Sequence, residues 1–242
     1  MDTKALRQII AMGGGGFSME PENPLLDQYV LAQTKKKSPR VCFVGTASGD
    51  AQGYIDRFYE SFKKLDCETS HLSLFKGPIG SLESFVMAND VVYVGGGNTR
   101  NLLVLWREWG LDKILKKAWE NGIVLTGVSA GSICWFEEGV TDSIPGELNS
   151  LACLCFLKGS NCPHYDGEAQ RRPSYQALMT AGKIGKGYAC DDGVALHFIG
   201  NSEEDDKLAH VISSRPNAKA YQLKLLNGTV LEEAITPRYL GA

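Results

Sequence analysis

An apolar run of membrane length is missing from this chain of 242 residues. None approaches the roughly 20 consecutive apolar residues of a spanning helix, which sets aside a helical membrane protein. Basic residues are not in excess: 25 Lys and Arg face 28 Asp and Glu, for a formal charge of −3. With no basic arm to neutralise phosphates, nucleic acid is not expected as a partner. Internal repeats and low-complexity tracts are absent, which removes solenoids and linker-rich architectures. A secretory h-region is also lacking, because Ile9-Ile10-Ala11-Met12 is too short and runs straight into glycine. The cysteines number seven, and an odd count in such a chain predicts reduced thiols and a cytoplasmic location. Cys153, Cys155, Cys162 and His164 do not follow a finger spacing, so no metal is expected. Gly13–Gly16 is not a full dinucleotide fingerprint, since Ser18 stands where the third glycine belongs, and no cofactor is expected.

What is present is an ordinary globular composition, 43% hydrophobic and 22% charged, sufficient for a full core. Apolar bursts alternate with amphipathic stretches. Strands are expected at Gln8–Met12, Arg40–Gly45, His71–Phe75, Val91–Val94 and Ile123–Val128. Helices are expected at Pro24–Thr34, Gly53–Leu65, Leu82–Ala88, Thr99–Trp109, Leu111–Glu120 and Glu168–Ala181. This rhythm predicts an α/β fold with a mostly parallel sheet covered by helices on both faces. Beyond Asp191 the pattern turns to β segments at Val194–Ile199, Ala209–Ser213, Ala218–Leu226 and Thr229–Ile235, with turns at Asn201–Asp206 and Asn227-Gly228. We read these as the β-rich C-terminal end of a single domain spanning 1–242.

The most informative motif is Gly127-Val128-Ser129-Ala130-Gly131, a G-x-S-x-G sequence between a strand and a helix expected to continue through Ser132–Phe136. So tight a turn lifts its serine clear of the sheet, and the flanking glycines remove Cβ atoms that would clash. Two further glycine turns follow strands, Gly13–Gly16 and Gly95–Gly97, the latter running into Asn98-Thr99. Their amides suit an oxyanion or a phosphate; the bland reading is tight packing.

Histidine is scarce, which narrows the search for a base to four residues. His71 and His197 fall in strands, where packing is the expected role, and His210 lies beside an acidic run. His164 differs, sitting in the loop Asn161–Gly167, and is the candidate general base. A carboxylate must then orient the imidazole. Asp191 and Asp192 lead, with Asp142 and Asp166 as competitors. Arg171 and Arg172 are candidates for binding a substrate carboxylate, against the commoner reading of a solvated helix face.

Taken in order, Gly95–Thr99, Gly127–Gly131, Pro163-His164-Tyr165 and Asp191-Asp192-Gly193 resemble the peptidase E and cyanophycinase family of serine peptidases, from the first strand to about Gly200. The resemblance implies a three-layer α/β fold like the class I glutamine amidotransferase domain, flavodoxin-like in its layering. It implies Ser129 as nucleophile, His164 as base and Asp192 as orienting acid, where peptidase E carries Glu. It also implies Gly97 and Ala130 as oxyanion donors, with Gly96 a further candidate. Asn98, Thr99, Asp142, Arg171 and Arg172 are the candidate substrate contacts. The activity implied is hydrolysis of small peptides, including dipeptides with N-terminal aspartate. The partner expected is the small peptide, with a homodimer allowed. Two alternatives stay open: a non-catalytic anion or small-molecule binder on the same scaffold, and another amidase or esterase.

Overall fold

The computed structural model describes residues 5–77, 80–201 and 206–242. Its strands are β1 (Arg7–Met12), β2 (Arg40–Val44), β3 (Glu68–Leu72), β4 (Val91–Val94), β5 (Val124–Val128), β6 (Phe136–Thr141), β7 (Asn149–Ala152), β8 (Leu157–Cys162), β9 (Gly187–Cys190), β10 (Val194–Gly200), β11 (Lys207–Ser213), β12 (Ala220–Leu226), β13 (Thr229–Ile235) and β14 (Arg238–Tyr239). Its helices are α1 (Gly16–Met19), α2 (Leu25–Gln33), α3 (Gln52–Phe62), α4 (Leu82–Met87), α5 (Thr99–Trp109), α6 (Leu111–Glu120), α7 (Ala130–Ile133) and α8 (Arg171–Thr180).

Two sheets organise these elements. The larger has eight strands in the order β14-β11-β10-β1-β5-β4-β2-β3, and the smaller has six in the order β13-β12-β9-β8-β6-β7. From β3 through β2, β4 and β5 to β1 every pairing is parallel, while β10 joins β1 antiparallel. Buried on both faces, β1, β2, β4 and β5 read as nearly continuous apolar runs, whereas β3 at the edge is polar and only partly buried. Alternate residues still part company: Ile9, Ala11, Val92 and Val94 face one core, whereas Ile10, Met12, Val91 and Tyr93 face the other.

Helices fill both cores, as the βα rhythm predicts. On one side, α5 buries Leu102, Leu103 and Trp106, and α6 buries Leu111, Leu115, Ala118 and Trp119. These spacings form a single apolar stripe on each helix. Asn98 caps α5 by accepting the Asn101 N–H, and Gly110 in the left-handed region ends it. On the other side, Ile55, Phe58 and Phe62 of α3 pack with Leu26, Val30 and Leu31 of α2. Phe17 sits at the centre of that side, with ring contacts to Phe43, Tyr54, Phe58, Phe62 and Tyr93. Buried Asp27 accepts the Phe17 N–H at 2.8 Å and the Tyr93 O–H at 3.0 Å. Burial pushes the Asp27 pKa up to about 7.

The smaller sheet docks on the α5–α7 side through Phe136, Leu157, Cys190 and Ala220. Its far face forms a third core under α8 from Val140, Cys162, Tyr175, Met179 and Leu223. This sheet changes several local expectations. The helix after Ser129 stops at Ile133, and Phe136 opens β6. Trp135 and Phe136 are fully buried, and the Trp135 carbonyl is taken by the N–H groups of Phe156 and Leu157, so tertiary pairing overrides local helix propensity. The C-terminal β segments divide, with β10, β11 and β14 extending the larger sheet and β12 and β13 the smaller. The third strand is Glu68–Leu72 rather than His71–Phe75, because Ser73 Oγ and the Phe75 N–H leave the ladder to donate to Asp50. Of the expected turn at Asn201–Asp206, residues 202–205 lie outside the described residues.

Three of the histidines take structural positions. His71 Nδ1 meets the Tyr59 hydroxyl at 2.8 Å, and His210 is exposed on β11. His197 is fully buried, with Nδ1 2.8 Å from the Tyr29 hydroxyl and Nε2 3.2 Å from Gln8 Oε1. Burial, with a contribution from His210, lowers the His197 pKa from 6.5 to about 4. The folded value lies below the unfolded one. The stability conferred by the neutral ring is therefore fully present above pH 6.5 and lost as pH falls toward about 4. The loss is of order ~3 kcal/mol. His197→Gln should flatten this acid limb of the stability curve, measured by urea unfolding at a series of pH values; an unchanged limb would refute the assignment.

Candidate active site

Strands β4, β5 and β1 are neighbours in the larger sheet, so the three glycine turns that follow them open at the same edge. Carboxyl ends of parallel strands are where such sheets place ligands. Ser129 stands at the middle turn with φ 57° and ψ −112°, a strained conformation for a residue with a side chain. The elbow presses against β4: a Cβ at Gly131 would collide with the Val94 carbonyl. The Ser129 N–H donates to the Met12 carbonyl at 3.2 Å.

The next two carbonyls receive the other segments. The His164 N–H donates to Gly13 O at 3.2 Å, and the Gly193 N–H to Gly14 O at 3.1 Å. One stretch of backbone thus fixes the serine, histidine and aspartate segments together. Closeness explains the glycine: a Cβ at Gly14 would overlap Asp192 Oδ1 and lie 3.1 Å from His164 Nδ1. Beneath it, His164 Nδ1 and Asp192 Oδ1 are 2.7 Å apart, with side chains only 12% and 9% exposed. The Asp192 N–H donates to Asp166 Oδ1 at 2.8 Å, and Arg215 Nη1 lies 4.0 Å from Asp192 Oδ2.

The other carboxylates weighed for this role do not meet the imidazole. Asp191 Oδ2 accepts the Lys219 N–H at 2.8 Å, and burial pushes the Asp191 pKa up to about 6. Asp166 caps the Asp192 amide. Asp142 is exposed and lies 3.9 Å from Arg171 Nη2. His164 Nε2 and Ser129 Oγ have no hydrogen-bond partner among the described residues. Such contacts often tighten only when substrate is bound.

The Gly95–Gly97 turn abuts the serine: a Cβ on Gly96 would stand 3.3 Å from Ser129 Cβ. The Gly96 N–H donates to the Tyr54 hydroxyl at 3.2 Å, and that hydroxyl meets Ser18 Oγ at 2.6 Å. This amide is therefore occupied. The N–H groups of Gly97 and Ala130 have no protein acceptor among the described residues, which leaves them available to an oxyanion.

An open cleft of ≈ 280 Å³ borders Ser129, walled by Gly97, Asn98, Asp142, Ser143, Glu168 and Arg171. Asn98 Nδ2 donates to the Ser143 carbonyl at 3.2 Å. Thr99 does not reach the cleft; it is buried, and its N–H donates to Ser143 Oγ at 2.7 Å, bracing the wall. Arg171 is at the cleft, donating to Glu168 and to the Val140 carbonyl. Arg172 faces elsewhere: its guanidinium is paired with Glu232 and lies over the rings of Tyr165 and Tyr221 at 5.0 and 4.8 Å. Ser143, Glu168 and Tyr54 escape the sequence reading. Only Glu168 carried a local sign, the i,i+3 spacing to Arg171. Cys153, Cys155, Cys162 and His164 form no metal-binding group among the described residues. None of the described helices is long and apolar enough to cross a membrane.

Known proteins can be set beside this geometry. The model of peptidase family S51, the peptidase E family, matches residues 9–204. The chain belongs to peptidase family S51. Over 236 residues this S51 chain is 60% identical to the uncharacterized peptidase YgaJ of Bacillus subtilis strain 168, covering 98% of this chain and 100% of that protein. It is 24% identical over 151 residues to the uncharacterized peptidase Lmo0363 of Listeria monocytogenes, 59% of this chain and 72% of that one. The S51 fold extends to the crystal structure of a peptidase from an acI-B1 Actinobacterium, with a TM-score of 0.71 at 15% identity, covering 97% of this chain and 96% of the other.

Replacing Gly14 by alanine should separate the site from the fold. The new Cβ must displace the Asp192 carboxylate, so the downfield imidazole N–H proton resonance of a carboxylate-bound His164 should disappear. Overpacking of this kind costs ~1–3 kcal/mol, which leaves the chain folded. Retention of that resonance in Gly14→Ala would count against the clamp.

Proposed function

We propose that this S51 peptidase is a serine peptidase of short peptides, with Ser129 as nucleophile, His164 as general base and Asp192 as the acid that orients it. The observation that carries the reading is the 2.7 Å contact of His164 Nδ1 with Asp192 Oδ1, on segments tied to the same backbone stretch, Met12–Gly14, as Ser129. Ser129 Oγ attacks the peptide carbonyl while His164 Nε2 takes its proton. Asp192 accepts the Nδ1–H bond, which fixes the tautomer and stabilises the cation. The Gly97 and Ala130 amides hold the tetrahedral oxyanion, each typically worth ~3 kcal/mol. His164 then gives the proton to the leaving amine, and the acyl-enzyme is opened by a water that His164 deprotonates in turn. Each step uses side chains and amides of this chain alone.

The anion-binder alternative loses its main support in the first glycine turn. The Gly13 N–H is donated to the Val194 carbonyl and the Gly15 N–H to Met19 Sδ, so that turn does not offer a row of bare amides. The resemblance to peptidase E adds dipeptides with N-terminal aspartate to the expected substrates, and the charge of the cleft bears on that directly.

Ser129→Ala should abolish hydrolysis of a dipeptide library while leaving the melting temperature within a few degrees of wild type; wild-type turnover by this variant would remove Ser129 from the mechanism. Asp192→Asn should lower kcat by roughly 10⁴ with little change in KM, the signature of a mis-set tautomer. Stopped-assay kinetics on the same peptides read both, and ester analogues run alongside test the amidase or esterase alternative.

A further inference from the structure

The cleft beside Ser129 is unbalanced in charge. Asp142 and Glu168 both open onto it, with side chains 69% and 48% exposed. Arg171 borders the same cleft, but its side chain is only 3% exposed and its fork is already engaged. Nε donates to Glu168 Oε2 at 2.6 Å, Nη1 donates to the Val140 carbonyl at 2.9 Å, and Nη2 lies 3.9 Å from Asp142. Two accessible carboxylates therefore stand against one buried guanidinium. A substrate carboxylate would meet the two acids first, and it could reach Arg171 Nε only by displacing Glu168. A substrate cation meets two acceptors, of which Asp142 makes no contact to Arg171 closer than 3.9 Å.

We infer that this cleft takes a positively charged group beside the scissile bond, and that short peptides whose first residue is neutral or basic are cleaved in preference to those beginning with aspartate. The inference rests on the peptidase reading of Ser129 and sharpens its substrate class. At the rim of an open cleft a like charge is repelled and the opposite sign is drawn in, an effect that salt screens. The residue that sets the preference is Glu168, which accepts from Arg171 Nε and so occupies the position a substrate acid would take there. It reaches that position because the loop after His164 runs directly through Asp166-Gly167-Glu168 to the start of α8, and the Glu168 N–H donates to the His164 carbonyl at 3.0 Å. A peptide supplies the cation from two sources, the terminal ammonium or a basic first side chain, and the chemistry recognised is the same.

The test is a kcat/KM comparison of Ala-Leu, Lys-Leu, Asp-Leu and N-acetyl-Lys-Leu, with Ser129→Ala as background. Ala-Leu and Lys-Leu should exceed Asp-Leu by about tenfold or more, and the gap should narrow in about 0.5 M salt as the charges are screened. Loss of the acetylated peptide assigns the cation to the terminal ammonium, and its retention assigns it to the side chain; each is a form of the inference. Glu168→Gln, which removes one acid and frees one face of Arg171, should raise Asp-Leu several-fold relative to Lys-Leu, and Glu168→Asp should restore the wild-type order. Asp-Leu turned over by wild type as fast as Lys-Leu, or faster, overturns the inference and leaves the peptidase reading standing. Absence of Ser129-dependent turnover of any peptide overturns the peptidase reading itself. Because wild type alone yields these outcomes, a Glu168 variant that does not fold does not spare the inference.

Discussion

Three successive backbone carbonyls, those of Met12, Gly13 and Gly14, hold the Ser129, His164 and Asp192 segments in place. Hydrogen bonds to carbonyls are directional, so receiving three chain segments along three consecutive residues demands a stretch of backbone that others can approach from several sides. Met12 supplies the first carbonyl from the end of β1, but the next two positions must be glycine; at Gly14 even a single methyl overlaps the aspartate. The remaining architecture keeps that stretch still. It continues β1, the strand flanked by both β5 and β10, and it is anchored beyond by Phe17 in its nest of rings and by the buried Asp27. A glycine-rich tract that reads in sequence as a phosphate cradle is in the fold a bracket for three other segments.

The site divides into a dry part and a wet part. His164 and Asp192 are nearly enclosed, where a low dielectric strengthens the bond that fixes the imidazole. Asp142 and Glu168 stand in solvent at the rim of the cleft, where charges guide what enters more than they bind it. One short segment, His164 to Arg171, thus contributes both an enclosed side chain, His164, and a solvent-facing one, Glu168.

Much of this was legible in the sequence, and what was not has identifiable causes. The parallel strands and their helices announce themselves locally, through apolar runs, helical stripes such as Leu111, Leu115, Ala118 and Trp119, and glycine at the turns. Ser129 and His164 were readable because each sits in a strand-to-loop context with a chemical reason for its residue type, whereas Asp192 was singled out only by the resemblance to peptidase E. The smaller sheet was hidden because β6, β7 and β8 are short and polar, Phe136-Glu137-Glu138 among them, and are held by partners distant in the chain. Choosing Asp192 over Asp191 depends on Lys219, 28 residues away, which claims the other carboxylate. Arg171 and Arg172 are adjacent on a helix, where neighbours diverge by about 100°, so one can border the cleft while the other packs on tyrosines.

The elbow serine belongs to the larger sheet, His164 follows β8 of the smaller sheet, and Asp192 lies in the link that crosses from β9 to β10. A ribosome therefore releases Ser129 before His164 exists, and His164 before Asp192. On the peptidase reading, a nascent or truncated chain carries a serine without a proton acceptor. On the same reading the three side chains come together only once the two sheets have packed against each other.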